Sequence, residues 1–312
     1  MHTRQRWAVW AAKPLAYRRT LPHIASMARP DPIEFARLKL VKSVRAAFND
    51  TARGETPVPP SDEALFEKDT PIRMVHADVV SMMVGGMAAL LLQMLHPHAL
   101  RGVLDFSNFR ADMHGRLRRT ARFIAVTTYG HRDDALAAIA RVNAIHAKVQ
   151  GTLPDGTPYS ATNPRTLAWV HVTESLMFLE AWLTHVRPDM PLAEQDEYFR
   201  QFALIARRLG ADPVPETKAE AQAIFREMRG DLRTSPEARE VAQLIVNKRI
   251  EGATGAVQPF LANAAVDLVP PFARTMLALE RPGWQATPSK LVTNALGGTL
   301  RWAFRQKPGG SP

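Results

Sequence analysis

The residues whose types and spacing suggest chemistry lie between positions 115 and 151, where two predicted helices meet at Gly130. On the first helix, polar and apolar side chains recur at steps of three and four residues, so they share one face. They are Arg116, Arg119, Thr120, Phe123 and Thr127. The polar groups stand at the start of the helix, where guanidinium groups could pair with carboxylates.

His146 lies on the second predicted helix, inside an apolar stripe with Ile139, Val142, Ile145 and Val149. It could be a core histidine hydrogen-bonded to a backbone carbonyl, with the arginines in solvent. It could instead bind a metal or haem iron, because a neutral imidazole in an apolar wall suits an axial ligand. The arginines would then pair with haem propionates or polarise a distal ligand. The pattern alone does not choose between these explanations.

Five ordered segments carry a resemblance to a known family. They are LLLQMLHP at 90–97, RGVLDFSNF at 101–109, RLRRTARF at 116–123, VNAIHAKVQG at 142–151 and LAWVHVTES at 167–175. Together they resemble the rubber-oxygenase catalytic-domain family, which includes the bacterial latex-clearing proteins and the MpaB-like oxygenases. The resemblance covers roughly residues 69–186, with weaker similarity beyond.

The resemblance implies an all-α fold, a single large globular domain with a buried central helix, and a b-type haem in a pocket between helices. It implies that His146 is the proximal iron ligand and that Arg116, Arg119 and Thr120 line the haem pocket as catalytic and cofactor-binding residues. The expected function is a haem-dependent oxygenase or oxidase that uses dioxygen on a small apolar, isoprenoid or lipid-like substrate. These expectations come from the resemblance and not from spacing.

The sequence departs from the family pattern at two positions. In the latex-clearing branch a lysine can reach the iron, but this chain has Arg119 there, and arginine is a poor iron ligand. The distal side of the haem should therefore be open or closed by another group. The acidic residue that acts as catalytic base in the polymer-cleaving branch is also missing, because the corresponding region has Leu100 and nothing acidic until Asp105.

A second set of candidates lies on a predicted helix at 164–185, where Asn163 caps the start. His171 and Thr173 are expected to be cofactor-binding, but they stand about 200° apart around the helix, so only one can face the pocket. His171 could equally be a satisfied core residue. Glu174 follows His171 by three residues and resembles half of a di-iron pair, but no second helix with a matching carboxylate and histidine is found. A non-haem iron enzyme using His146, His171 and a carboxylate, and a non-catalytic helical lipid- or partner-binding protein, remain the alternatives.

The elements that must position these residues are predicted to be helical throughout. The segment 79–95 carries no charge and should form the central buried helix, while Gly85 and Gly86 permit close approach of a flat ligand or, more commonly, of another helix. His96 and His98 flank Pro97, and we interpret them as a helix terminus rather than half of a metal site. Further helices are predicted at 32–48, from Ser61, and at 193–209, 218–229, 235–251, 259–279 and 288–304. No strand is predicted, and 152–164 should be a loop.

Composition narrows the function classes. The chain has 312 residues, a formal charge of +10 and no cysteine, which excludes disulfides, zinc–thiolate sites, iron–sulfur clusters and thiolate-ligated haem. The basic residues are spread along the chain without a nucleic-acid motif, so no nucleic-acid partner is expected. Residues 1–30 should form a basic arm, alternatively a helix in peripheral contact with a membrane surface, followed by the haem-binding domain at 31–304 and a disordered tail at 305–312. With no signal-peptide core, we expect a cytoplasmic protein.

Overall fold

The computed structural model describes residues 33–35, 37, 38, 41, 42, 54–107, 109–247, 258–279 and 286–304. The helices are α1 (Pro71–Ala77), α2 (Val79–Gln93), α3 (Pro97–Phe106), α4 (Met113–Tyr129), α5 (Arg132–His146), α6 (Pro164–His185), α7 (Leu192–Leu209), α8 (Lys218–Glu227), α9 (Pro236–Asn247), α10 (Gln258–Leu268), α11 (Pro271–Met276) and α12 (Ala286–Phe304). A short 3₁₀ helix spans Met228–Asp231. The all-α class predicted from the sequence is confirmed.

The core is built around the pair α2 and α6, which pack against each other along most of their length. Both helices are buried on nearly all sides, as their charge-poor sequences predict. At Gly85 an added Cβ would lie 2.6 Å from the backbone oxygen of Met177, so the two backbones approach more closely than any larger residue permits. The close helix–helix contact expected of the glycine pair is therefore confirmed.

Capping side chains set where several helices begin. The Asn163 side chain accepts the backbone N–H of Thr166 at 2.9 Å, and Pro164 occupies the first turn of α6, as the sequence predicts. Asp78 accepts the N–H of Ser81 at 2.9 Å and separates α1 from α2. α7 ends at Gly210, whose φ of +87° is favourable only for a residue without a side chain.

The lengths and apolar content of the helices bear on whether any of them could span a membrane. In the part of the chain that the structure describes, no single helix is long and apolar enough to cross a bilayer. The bent pair α1 and α2, whose axes meet at 91°, satisfies the length and composition test when the two are taken together.

Three predicted elements are wrong. The short helix from Ser61 is instead a turn, and Ala64 forms a bridge with His131. The helix predicted at 259–279 is split into α10 and α11, because consecutive prolines at 270 and 271 interrupt the backbone hydrogen bonds. Part of the predicted loop at 152–164 belongs to a hairpin of β1 (Gln150–Thr152) and β2 (Pro158–Ser160), in which Gly151 is opposite Tyr159.

Several expectations fall partly or wholly outside the described residues. The basic arm at 1–30 and the tail at 305–312 are outside entirely. Within the predicted helix 32–48, residues 33–35, 37, 38, 41 and 42 are helical. The predicted helix at 235–251 is described as far as Asn247, and Ser235 accepts the N–H of Ala238 at its start, at 3.0 Å.

Candidate functional site

The pair α4 and α5 brings Arg116 close to His146. The two helices pack against each other and are joined at Gly130, where a Cβ would lie 2.8 Å from the Val126 oxygen. Asp112 fixes the start of α4 by accepting the Gly115 N–H at 2.8 Å. Because the chain reverses at Gly130, the beginning of α4 lies beside the end of α5. The charge of Arg116 accordingly acts on the imidazole of His146.

His146 has the character of a neutral, unsatisfied imidazole. Its Nδ1 is buried and has no hydrogen-bond partner among the described residues. Burial lowers the pKa of His146, and the nearby Arg116 cation lowers it further, so the ring is neutral at neutral pH. A neutral imidazole with an unpartnered buried nitrogen is unusual in a core, where most polar groups are satisfied.

Glu174 on α6 supplies a carboxyl group to the same interior region. Its side chain is partly buried and keeps some accessible surface. Burial raises the pKa of Glu174 to about 7, although the Gln93 side-chain hydrogen bond and the Arg116 charge both act in the opposite direction. Arg116, His146 and Glu174 therefore combine a cation, a neutral base and a carboxyl that changes charge near neutral pH.

Apolar side chains of α4 border this polar group. From Arg116 to Val126 no residue of α4 is fully buried. The apolar members that pack on the main core while keeping accessible surface are Leu117, Phe123 and Ile124. Apolar surface next to a few convergent polar groups is the usual composition of a small-molecule site.

A second layer of polar and aromatic groups lies behind Glu174. The Nδ1 of His76 is 2.9 Å from the Thr128 hydroxyl oxygen, and its Nε2 is 3.5 Å from the Tyr198 hydroxyl oxygen. Tyr198 interacts electrostatically with Glu174, and burial raises the Tyr198 pKa. His76 itself is fully enclosed, which lowers its pKa to about 3. These contacts link His76 on α1 to Thr128 on α4 and to Tyr198 on α7, and Tyr198 in turn interacts with Glu174 on α6.

The structure separates the two candidates on α6. His171 is buried with its ring edge against Phe202 at 4.9 Å, its Nε2 has no partner among the described residues, and burial lowers its pKa to about 3. Thr173 is buried and satisfied, because its hydroxyl donates to the Trp169 oxygen at 2.9 Å and accepts from Gln93 at 3.3 Å. Only His171 retains an unsatisfied polar atom.

One side chain on α4 and one on α5 are placed differently from what the sequence predicted. Arg119 stands at the edge of the face that Arg116 and Thr120 share, its side chain is 60% exposed, and it pairs with Asp112 at 3.4 Å. Ile145 was expected in the apolar stripe around His146, but it is 54% exposed. The stripe is narrower than periodicity predicts because α5 ends at His146 and its last turn lies at the surface.

Sequence reasoning did not assign Gln93 or His76 to the site, and it considered Glu174 only as half of a di-iron pair. A signal existed for each, because polar side chains in otherwise apolar helices need a reason to be buried. Glu174 is an acidic residue within the apolar run of α6, Gln93 is the polar residue at the end of uncharged α2, and His76 lies near the end of α1. Asp105, which follows Leu100, is not a substitute, because it is engaged near the surface by Arg101 and Tyr159.

His96 and His98 form a ring contact and not a metal site. Their ring centroids are 5.4 Å apart, and His96 also lies near Trp169 with centroids 6.5 Å apart. Among the residues that the structure describes, no group of three or more histidine, aspartate and glutamate side chains is arranged to hold a metal ion. This finding disfavours the non-haem iron alternative with His146, His171 and a carboxylate.

The fold and the site define an all-α protein that places a few ionisable groups beside apolar side chains between its helices. Residues 73–302 match the family described as ER-bound oxygenase mpaB/B'/Rubber oxygenase, catalytic domain. The match covers more than half of the 312 residues, so the chain belongs to this oxygenase family. No curated protein and no solved structure matches the chain. The resemblance seen in the five sequence segments is therefore confirmed.

Proposed function

We propose that the chain is a haem-b-dependent oxygenase that acts with dioxygen on an apolar, lipid-like substrate, and that His146 is the proximal ligand of the haem iron. The observation that carries the proposal is the buried, unpartnered nitrogen of His146 beside Arg116, in a chain of an oxygenase family. Although the last turn of α5 lies near the surface, the Nδ1 atom of His146 is buried.

The residues present fit a haem. The lowered pKa of His146 keeps the imidazole neutral, as an axial iron ligand must be. Arg116 carries a positive charge inside the fold and makes no side-chain hydrogen bond within the described part of the chain, so it is available to a propionate. The apolar side chains of α4 supply surface for a macrocycle. A bound haem would supply the chemistry of dioxygen activation and substrate oxidation.

The chain's own residues would set access, charge and orientation. Leu117, Phe123 and Ile124 exclude water and favour an apolar substrate. Thr120 lies on the face of Arg116 and offers a hydroxyl donor. Glu174, whose pKa is raised by burial to about 7, supplies a carboxyl that can release or accept a proton near neutral pH. Arg119, exposed and paired with Asp112, would act only at the rim of the site.

An absorption spectrum of the purified protein with added haemin tests the proposal. Wild type should show a Soret band at one haem per chain, and His146→Ala should lose it or bind haemin at least tenfold more weakly. The control is His131→Asn at the partly exposed N-cap of the same helix, where asparagine can still cap α5. His131→Asn should leave the spectrum unchanged.

The outcomes distinguish the remaining functions. A colourless protein that refuses haemin, or a His146→Ala variant with an unchanged Soret band, contradicts the haem assignment. Mass spectrometry of extracted small molecules then separates the alternatives, because co-purified fatty or prenyl chains without iron would indicate a lipid-binding protein. Iron without porphyrin would return attention to the non-haem iron alternative.

A further inference from the structure

We propose that Tyr159 is a positioning residue for His146: its hydroxyl ties the β1–β2 hairpin to Asp105 on α3, and the hairpin in turn fixes the end of α5 that carries the imidazole. The inference rests on the proposed function, because an iron ligand needs a fixed position. It assigns a role to Tyr159, Asp105 and Gly151, which lie outside α4 and α5.

The hydrogen bond between Tyr159 and Asp105 is the first observation. The buried Tyr159 donates its hydroxyl to one carboxylate oxygen of Asp105 at 2.6 Å. The other carboxylate oxygen accepts from Arg101, one turn earlier on α3, at 2.5 Å. The carboxylate is therefore held at both oxygens, and a hydrogen bond to a carboxylate is stronger than one between neutral groups.

Gly151 is the second observation, because it lets the Tyr159 side chain reach this carboxylate. The two residues are directly opposite each other in the β1–β2 pairing. A Cβ at position 151 would lie 2.9 Å from the Tyr159 hydroxyl oxygen, which is closer than a side chain tolerates. Any larger residue at position 151 would push the hydroxyl away from Asp105.

Backbone hydrogen bonds connect the hairpin to His146. Ala161, which directly follows β2, donates its N–H to the Val149 carbonyl at 2.9 Å. Val149 donates its own N–H to the His146 carbonyl at 3.0 Å. Since Gln150 begins β1 only four positions after His146, a displacement of the hairpin also displaces the last turn of α5.

The last turn of α5 depends on such external contacts. The helix ends at His146, and the last carbonyl groups of a helix have no partners within it, so helix ends fray. Asn143 ties this turn to α7 by donating to the Arg208 carbonyl at 2.9 Å. The Tyr159 hydrogen bond ties the same turn to α3. Groups that orient a ligating histidine affect metal affinity strongly, so this second tie bears on iron binding.

NMR of the full-length protein without haem tests the anchor directly. Histidines labelled with ¹³C at Cε1 report each imidazole, and His146→Ala identifies the signal of His146. Tyr159→Phe keeps the ring and removes the hydroxyl, so the His146 signal should shift and broaden. The Val149 and Ala161 amides should exchange with solvent about tenfold faster than in wild type.

Tyr129→Phe is the matched control. It also removes one tyrosine hydroxyl, which donates to the Arg73 carbonyl at 2.7 Å, but Tyr129 lies next to the start of α5 and not its end. The His146 signal of this variant should match that of wild type. A general loss of stability would instead affect the His146 signal of both tyrosine variants alike.

Two substitutions of Asp105 separate the hydrogen bond from the rest of the residue. Asp105→Ala removes the acceptor and should reproduce the effects of Tyr159→Phe, with no further change when the two are combined. Asp105→Asn keeps a polar partner for the Tyr159 hydroxyl and should restore the His146 signal toward that of wild type. Equal effects of alanine and asparagine would contradict the role assigned to this hydrogen bond.

Addition of haemin separates this inference from the proposed function. Tyr159→Phe should keep the Soret band, with a haemin Kd raised roughly tenfold and a broader ferric electron paramagnetic resonance signal than wild type or Tyr129→Phe. If wild type binds no haemin, the proposed function fails, and the NMR comparison still decides whether Tyr159 fixes His146. The inference is overturned by an unchanged His146 signal in Tyr159→Phe, or by an equal change in Tyr129→Phe.

Discussion

Three ionisable side chains lie in the same region between the helices, namely Arg116, His146 and Glu174. None of the hydrogen bonds that the structure records joins one of them directly to another. Burying an ionisable side chain costs free energy, and apolar packing around it does not compensate for that cost. Their helices are held by independent contacts, namely α4 by α5, α5 by α7, and α6 by α2. The side chains therefore remain close to one another without depending on mutual contacts, which is the property of a preorganised ligand site.

The pH dependence of the free energy of unfolding can test whether His171 is buried as a neutral side chain. Its folded-state pKa is about 3 against an ordinary value of 6.5, so the unfolded chain binds the proton more readily. The stability it contributes is complete above pH 6.5 and is lost as the pH falls toward 3. Between pH 7.5 and pH 5 the loss should be about 2 kcal/mol.

Urea unfolding of His171→Leu at the two pH values measures this contribution. The variant should lose about 2 kcal/mol less than wild type between pH 7.5 and pH 5, because leucine has no proton to bind. His131→Asn, which removes an exposed histidine, serves as control and should follow wild type. Parallel pH dependences of His171→Leu and wild type would show that folding does not lower the pKa of His171.

Part of the site could be predicted from the sequence, and there is a physical reason why the rest could not. Arg116 and Thr120 were placed on a common face by helical spacing, and the family resemblance drew attention to His146. Glu174 was missed as a partner, because the approach of α6 to α4 is a tertiary relation that spacing within one helix does not contain. For the same reason periodicity treated Arg119 and Arg116 alike, while in the structure the Arg119 side chain is 60% exposed and Arg116 is partly buried.

At the scale of elements, residues that cap or terminate a helix predicted where helices begin and end. They predicted less well where a long helix is interrupted. The cap at Asn163 acts within one turn and was predicted correctly. The predicted helix end at 209 and helix start at 235 likewise lie at a local signal, namely Gly210 and the Ser235 cap. The split between α10 and α11 required more weight for Pro270 and Pro271 than for the apolar periodicity that continues through them. The β1–β2 hairpin was missed because its strands are only three residues long.

The contact of α2 with α6 can be tested at its two adjacent glycines. A Cβ at Gly85 would lie 2.6 Å from the Met177 backbone oxygen, and backbone cannot move away cheaply. Gly85→Ala should therefore lower the free energy of unfolding by roughly 2 to 3 kcal/mol through overpacking. Denaturant unfolding monitored by circular dichroism gives the value.

Gly86→Ala is the matched control, one position along the same helix. Its added Cβ would meet a Phe178 ring carbon at 3.5 Å, an ordinary contact. Alanine also costs less conformational entropy in a helix than glycine, so Gly86→Ala should be neutral or stabilising by up to about 1 kcal/mol. Equal effects at the two positions would mean that α2 and α6 are farther apart than described.

At the scale of the whole molecule, α12 closes the fold over the start of the central helix. Asn294 lies 2.6 Å from the Nδ1 of His185 at the end of α6. Arg301 pairs with Asp78, the cap of α2, at 2.9 Å. These two contacts tie the last described helix to the first and last turns of the central pair. Residues 109 and 223 positions apart in sequence therefore stabilise the pair that carries Glu174.

Arg301→Met should show how much this closure contributes. The Asp78 side chain is only 6% exposed, so loss of the guanidinium leaves a buried carboxylate with the Ser81 N–H as its remaining described partner. We expect a loss of about 2 kcal/mol, below the value for a fully buried pair because Arg301 itself is partly exposed. Arg200→Met breaks the half-exposed pair with Glu197 and should cost less than about 0.5 kcal/mol. If the two variants unfold at the same urea concentration, the Asp78 pair contributes no more than a surface ion pair, and apolar packing alone holds α12 in place.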